Sequence, residues 1–348
     1  MTIKPSVVHT LLGIAVGLVL FLLTFGIEQY YRYHVSNLRS LDGKEHSYYI
    51  YPGVSVDSVL NMVRKDYTIS GELDLRWHMR LKVFTEPKPG YYVFPEAMGD
   101  KLFINKLQSG DQTPIQLKWT NSARTREDLA RIVSSQLMMD SVDIIKRLSD
   151  DKYMAEFDLN AETSRCLFIP NTYEVYWTIS PNDLFKRMDR EYRAFWTKER
   201  REKAEAHGLN PVEVAILASI VEGETYILKD MPTIASLYIN RLHKGMPLQA
   251  CPTVIYAVGD FSIRRVLKSH LQVESPYNTY KNKGLPPGPI RCPLPRTMDF
   301  VLDAPKTNYL YMCASPALDG THIFSSSYGT HSSAAHSYHR TMNQKRIK

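Results

Sequence analysis

The sequence predicts an α+β protein carried on a single N-terminal transmembrane helix. Three features point there: a long apolar run at the start, short strand and helix patterns after it, and a later helix with apolar residues on every side. Its 348 residues suffice for about two domains at roughly 150 residues each, so a real core can form without disulfides or metals to staple it. Hydrophobic residues make up 44% and charged residues 23%, with 17 Gly and 20 Pro, which excludes a disordered or collagen-like chain. The net charge of +7 is spread thinly along the chain. Such an excess suits an anionic surface or polymer, and no nucleic-acid partner is expected. The 22 Tyr, 12 Phe and 4 Trp offer flat amphipathic faces that stack on sugars as readily as they pack in cores.

From Val7 to Ile27 the chain is apolar apart from His9, Thr10 and Thr24. At 1.5 Å per residue this spans a hydrocarbon layer of about 30 Å. A cleaved signal peptide would have a shorter apolar stretch and small residues after it; here Glu28, Tyr30, Tyr31 and Arg32 follow, as in an interfacial belt. Residues 1–6, with Lys4, are expected to be a cytoplasmic tail, 7–27 the membrane helix and 28–46 a polar stalk. The rest then faces the periplasm or exterior. The lipid bilayer is thus one expected partner, through residues 7–27. Cys166, Cys251, Cys292 and Cys313 form no Cys-x-x-Cys pair, which argues against a zinc ribbon or redox motif. Buried free thiols are the expected state, with a disulfide outside the cytoplasm as the alternative.

Beyond the stalk, Tyr48–Tyr51 reads as a strand, Pro52-Gly53 as a turn and Val56–Arg64 as an amphipathic helix. The order returns with a strand at Gly90–Phe94, a helix at Met98–Leu107 stopped by Gly110, and a strand at Ile115–Trp119. Residues 47–120 therefore form a small α+β module. Residues 126–147 look helical, Phe168–Tyr173 extended, and 181–206 helical and charged, so 121–206 is a mostly helical connecting region. Residues 207–348 form the last domain.

That domain begins on Asn210-Pro211-Val212-Glu213, which combines an Asn N-cap, Pro at the first helical position and a Glu that reaches back. Val214 to Val221 is then apolar except for Ser219, so the helix has no wet face before Glu222 and should be buried all round. Burial and the negative end of the helix dipole both disfavour an anion there. Glu222 is thereby prepared to donate a proton. Glu224, two residues on, points elsewhere, so the two are not a paired-carboxylate motif. The plainer alternative for Glu222 is a helix-terminal acid that is solvated or paired with an Arg.

The run Leu217-Ala218-Ser219-Ile220-Val221-Glu222-Gly223-Glu224-Thr225 resembles the signature of the YceG-like endolytic murein transglycosylases, the MltG type. Further segments follow in family order: Phe168–Tyr173, Ile239–Leu242, Leu248-Gln249, Pro252–Tyr256, Tyr277–Tyr280, Gly284–Ile290, and His322 with Phe324 and His331. The resemblance runs from about residue 47 to the end. It implies that residues 47–120 are LysM-like and that 207–348 are a mixed α/β catalytic domain around the buried helix. It also implies that Glu222 is catalytic. Two positions depart from the family pattern: Cys251 stands where Asp usually precedes Pro-Thr-Val, and Asn171 stands where Asp usually follows Phe-x-Pro.

A glycosidase that uses water normally needs two carboxylates. In a lytic transglycosylase the substrate's own C6 hydroxyl attacks, so one Glu can serve as acid and then base. The resemblance thus implies a lyase that cuts MurNAc-GlcNAc bonds within nascent peptidoglycan strands, leaves 1,6-anhydro ends and limits strand elongation at the inner membrane, beside peptidoglycan synthases. Gln249, Asn240, Tyr277 and Asn278 are the expected substrate-binding residues, because amides and phenols bond sugar hydroxyls. Gly284–Pro289 would wall the groove, and it lacks the ending of a phosphate-binding loop. No metal or cofactor is expected: His322, His331, His336 and His339 have no nearby Cys and poor ligand spacing. The basic end Lys345–Lys348 reads as a solvated tail. Two other readings are kept, a wall-binding scaffold without catalysis and a hydrolytic muramidase.

Overall fold

A computed structural model describes residues 5–120 and 122–344. Lys4, in the expected tail, and the basic end Lys345–Lys348 lie outside the described residues. The chain divides into two compact units, Met1–Gln116 with Glu174–Thr178, and Leu117–Tyr173 with Ile179–Lys348.

The first unit opens on α1 (Pro5–His34), a helix long and apolar enough to cross a bilayer. It runs seven residues past the expected end at Ile27, since nothing between Glu28 and His34 breaks a helix and Glu28 pairs with Arg32 one turn on. Arg32 also pairs with Asp74. The expected stalk is ordered as well: β1 (Leu38–Ser40) is the centre of an antiparallel sheet whose outer strands are Tyr67–Ile69 and Ala97–Met98. In chain order follow β2 (His46–Ile50), α2 (Val56–Val63), β3 (Tyr67–Ile69), α3 (Glu72–Leu81), β4 (Gly90–Phe94), β5 (Ala97–Met98) and α4 (Asp100–Ser109). Ser55 caps α2 by accepting from the Ser58 amide, and Gly110, at φ 76°, ends α4. β2 and β4 pair antiparallel with Tyr48 opposite Tyr92. Val59, Leu60 and Val63 of α2 and Phe103, Ile104 and Leu107 of α4 are buried in one core with Phe94 and Tyr92. β3 and α3 are absent from the sequence reading, because Tyr67–Ile69 is too short and α3 too charged to give a periodic signal.

The second unit comprises β6 (Ile115–Lys118) from Leu117 on, α5 (Arg126–Ser134), α6 (Ser141–Leu148), α7 (Asp151–Met154), most of the extended segment that ends in β7 (Thr172–Val175), α8 (Pro181–Phe195) and α9 (Lys198–Ala206). The two long helical stretches of the sequence reading are each broken by a new cap. Asp140 accepts from the Val142 amide to start α6, and Thr197 accepts from the Arg200 amide to start α9. Then come α10 (Pro211–Glu224), α11 (Met231–His243), α12 (Cys251–Val258), α13 (Pro295–Leu302), the antiparallel pair β8 (Tyr311–Ala314) and β9 (His322–Ser325), and α14 (Tyr328–Gln344).

The position of α10 sets up the site. Its capping box is formed as the sequence requires: Asn210 accepts from the Val212 and Glu213 amides, and Glu213 accepts from the Asn210 amide. Every residue from Val214 to Glu222 is buried, with α11, α12 and α13 packed around. A helix surrounded in this way delivers its last turn to a fixed place.

Candidate active site

Consecutive helical residues are rotated by about 100°, so Glu222 and Glu224 lie about 200° apart at the end of α10 and face different neighbours. Glu222 faces α13. Its Oε1 accepts from the Leu294 amide at 2.8 Å and from Thr297 Oγ1 at 2.6 Å. Leu294 is the N-cap of α13, so this carboxylate satisfies an amide at the helix start, where negative charge is favoured. Its residue is 3% exposed. The residue to which the resemblance gives the catalytic role is thus turned by the phase of α10 into the α10–α13 interface.

Glu224 faces a cavity of about 350 Å³. It is half-buried on the cavity wall, and Tyr238 Oη donates to its Oε1 at 2.6 Å. Burial pushes its carboxyl up to about 7, while the Tyr238 hydrogen bond and the Arg241 charge pull the other way. Arg241 cannot swing in to neutralise the acid, since Nε donates to Leu310 O at 2.6 Å and Nη1 to the carbonyls of Leu248 and Pro247 at 2.7 and 3.2 Å. Glu224 is the one carboxylate of this lining among the described residues. Here is a group that holds its proton near neutral pH, faces open space and has Tyr238 as an orienting donor.

Gln249, Cys251 and Tyr280 also line the cavity. Gln249 has φ 52°, a left-handed conformation that a non-glycine residue adopts only when its surroundings impose it. The imposing contacts are the Gln249 amide to Thr279 O and the Ala250 amide to Thr279 Oγ1, both at 3.0 Å. Cys251 Sγ lies 3.3 Å from Tyr280 Oη. Tyr311 and His331 stack at 5.4 Å on a further side, where burial and Arg241 lower the proton affinity of His331. His322 belongs to the lining too, with Nδ1 3.1 Å from Asp230 Oδ2.

The model of the YceG-like family matches residues 48–337. The chain belongs to the YceG-like family. It is similar to an endolytic murein transglycosylase of Bacillus subtilis, 28% identical over 309 residues that cover 84% of each chain. An endolytic murein transglycosylase of Streptococcus pneumoniae is 24% identical over 321 residues; the match covers 82% of this chain and 57% of that protein's length. Among solved structures, a yceG-like protein of Listeria monocytogenes superposes with a TM-score of 0.55 at 26% identity, covering 83% of this chain and 98% of that one.

Of the expected binding residues in this YceG-like protein, only Gln249 shares the cavity with Glu224. Asn240 is bound to the Thr307 and Tyr309 carbonyls at 3.0 Å and ties α11 to the chain before β8. Tyr277 Oη donates to Glu162 Oε2 at 2.6 Å, away from Glu224. Asn278 is fully buried; its amide donates to the Leu271 and Val273 carbonyls, and its oxygen accepts from the Tyr280 amide. These three bond to groups of the protein itself and do not line the Glu224 cavity. Asn171 accepts from its neighbour Thr172 and lines a different cavity, beside Trp119 and Leu294. The sequence reading set Glu224 aside as pointing elsewhere, gave Arg241 no site role and did not single out Tyr238, all three of which line this cavity. The spacing of the last two, three residues apart on one face of α11, was the available signal. All four cysteines are free thiols, with Cys166 and Cys292 buried and Cys251 exposed.

Proposed function

We propose that this protein is a membrane-anchored endolytic murein transglycosylase whose acid and base is Glu224. The observation that carries the reading is a carboxyl raised to about 7 on the wall of an open cavity, with no second carboxylate in that lining among the described residues. A hydrolase would need such a partner to activate water. A transglycosylase needs one group used twice. Protonated Glu224 gives its proton to the glycosidic oxygen as the bond from MurNAc C1 to that oxygen breaks. The resulting carboxylate accepts the proton of the MurNAc C6 hydroxyl as its oxygen bonds to C1. The acid is regenerated, no water is consumed, and the product ends in 1,6-anhydro-MurNAc. Tyr238 orients the carboxyl, and Gln249 fixes the sugar.

The names of the Bacillus and Streptococcus relatives support murein as substrate. The length and apolarity of α1 support a membrane anchor; a murein substrate in turn favours the inner membrane with the second unit outside the cytoplasm, where nascent strands and their synthases would be met. Incubation of the full chain with purified peptidoglycan should release 1,6-anhydro muropeptides detectable by mass spectrometry. Reducing-end products would mark a hydrolase instead, and absence of any product would mark a binding scaffold.

A further inference from the structure

A second cavity, of about 420 Å³, adjoins the same helix end. Gly223 lines it while the next residue, Glu224, lines the candidate active site; Pro252 lines it while the preceding Cys251 lines the other. The wall between the two is thin, for a Cβ added at Gly223 would stand 2.5 Å from Pro252 Cβ. Three guanidiniums, of Arg124, Arg264 and Arg291, line the second cavity together with Tyr226, Tyr256 and Phe261. Arg124 lies 4.9 Å above the Phe261 ring. Behind Tyr256 a fourth cation, Arg165, donates to its Oη at 2.9 Å.

Arg291 is the least satisfied of the group. Its Nε is buried without a hydrogen-bond partner among the described residues. Burial and the neighbouring Arg124 both weaken its hold on its proton, which Glu222 and Tyr226 partly offset. Glu222 Oε1 also accepts from the Leu294 amide and Thr297 Oγ1. Like charges gathered in a half-buried hollow with a donor unmet are unfavourable unless an anion completes them. A guanidinium matches a carboxylate in a two-pronged geometry, and the rings between the arginines suit the organic arm that would carry it.

We propose that this cavity is an anion subsite for a carboxylate of the peptide borne on the glycan, so that a strand cut at Glu224 is also gripped through its peptide arm. This rests on the murein reading above.

The test compares glycan strands carrying their peptides with the same strands stripped by an amidase, using the full chain in lipid nanodiscs. The wild type should cleave peptide-bearing strands with kcat/KM about tenfold higher, the lower end of what a hydrogen bond to a charged group supplies. That ratio should fall toward one in Arg264→Gln, an exposed position whose change leaves the fold intact, and in Arg291→Gln. Arg193→Gln, on the surface of α8, should keep it. A wild-type ratio of one, or a ratio unchanged in both cavity variants, overturns the subsite. Co-sedimentation with Glu224→Gln protein separates the two claims. If the wild type makes no anhydro product the murein-cleaving reading falls. The subsite then stands if Glu224→Gln protein holds peptide-bearing strands more tightly than stripped ones and Glu224→Gln/Arg264→Gln does not, and it fails if that difference is absent.

Discussion

Replacing Glu222 by Gln leaves an amide oxygen able to accept from Leu294 and Thr297, so the contact geometry at the start of α13 survives. Removing the donor instead, by Thr297→Ala, should cost about 1.5–3 kcal/mol, as for other hydrogen bonds to charged groups, and a urea midpoint measurement would show it. At Glu224 the consequences are electrostatic. Its carboxyl titrates near 7 in the folded protein against an ordinary 4.5, so the acid form needed for catalysis is lost as pH rises through about 7, and the rate should fall on that limb. Folding stability follows the same sign: between 4.5 and 7 the native state holds a proton that the unfolded chain has released, so this residue's contribution declines as pH rises across that window. Thermal melts of Glu224→Gln should lack that slope. Tyr238→Phe removes a hydrogen bond that favours the anion, and the alkaline limb of its pH–rate profile should move to higher pH; a shift to lower pH would contradict the assigned role.

At the scale of the element, α10 was legible from its first residues. Asn210, Pro211 and Glu213 state a helix start, and the apolar run interrupted only by Ser219 states complete burial. The same run hid which glutamate faces the cavity. A helix that is apolar on every side has no wet stripe from which to read phase, so the cavity side of its last turn depends on where α11 and α13 lie, and that is set by contacts distant in sequence. Asn240 and Asn278 misled for a related reason. An amide that bonds sugar hydroxyls also bonds backbone carbonyls, and here each is engaged by carbonyls. Gly223 shows how tightly the site's elements are joined. Gly223→Ala would drive a methyl group into the stiff ring of Pro252, with contacts of 2.5 and 2.8 Å. Displacing α12 should destabilise the protein by about 1–3 kcal/mol and lower the rate, because Gln249 and Cys251 sit at the start of that helix. Wild-type stability in this variant would mean that the α10–α12 contact is looser than described.

Taken as a whole chain, the molecule combines an apolar first helix with a modest positive charge of +7. Both could hold it at an anionic membrane, and salt separates them. Electrostatic attraction is screened within about 3 Å at 1 M salt, whereas a spanning helix is indifferent to it. The full chain should therefore float with lipid vesicles after a 1 M salt wash, and Leu18→Arg should reduce that fraction, since a central charge costs about 2.5–3.5 kcal/mol on insertion. Release by salt alone would show that α1 does not span. The α+β architecture and this helix could be read from the sequence because each is a local pattern. The active cavity could not, since Glu224, Tyr238, Gln249 and Tyr280 come together only through the packing of α10, α11 and α12.

Single-turnover cleavage of glycan strands by the full chain, with Glu224→Gln and Glu222→Gln compared side by side, bears most directly on the assignment of the acid. The account predicts anhydro product from Glu222→Gln at a rate within severalfold of wild type, and from Glu224→Gln a loss of at least about 10²-fold with the fold intact. A folded but inactive Glu222→Gln beside an active Glu224→Gln would contradict it.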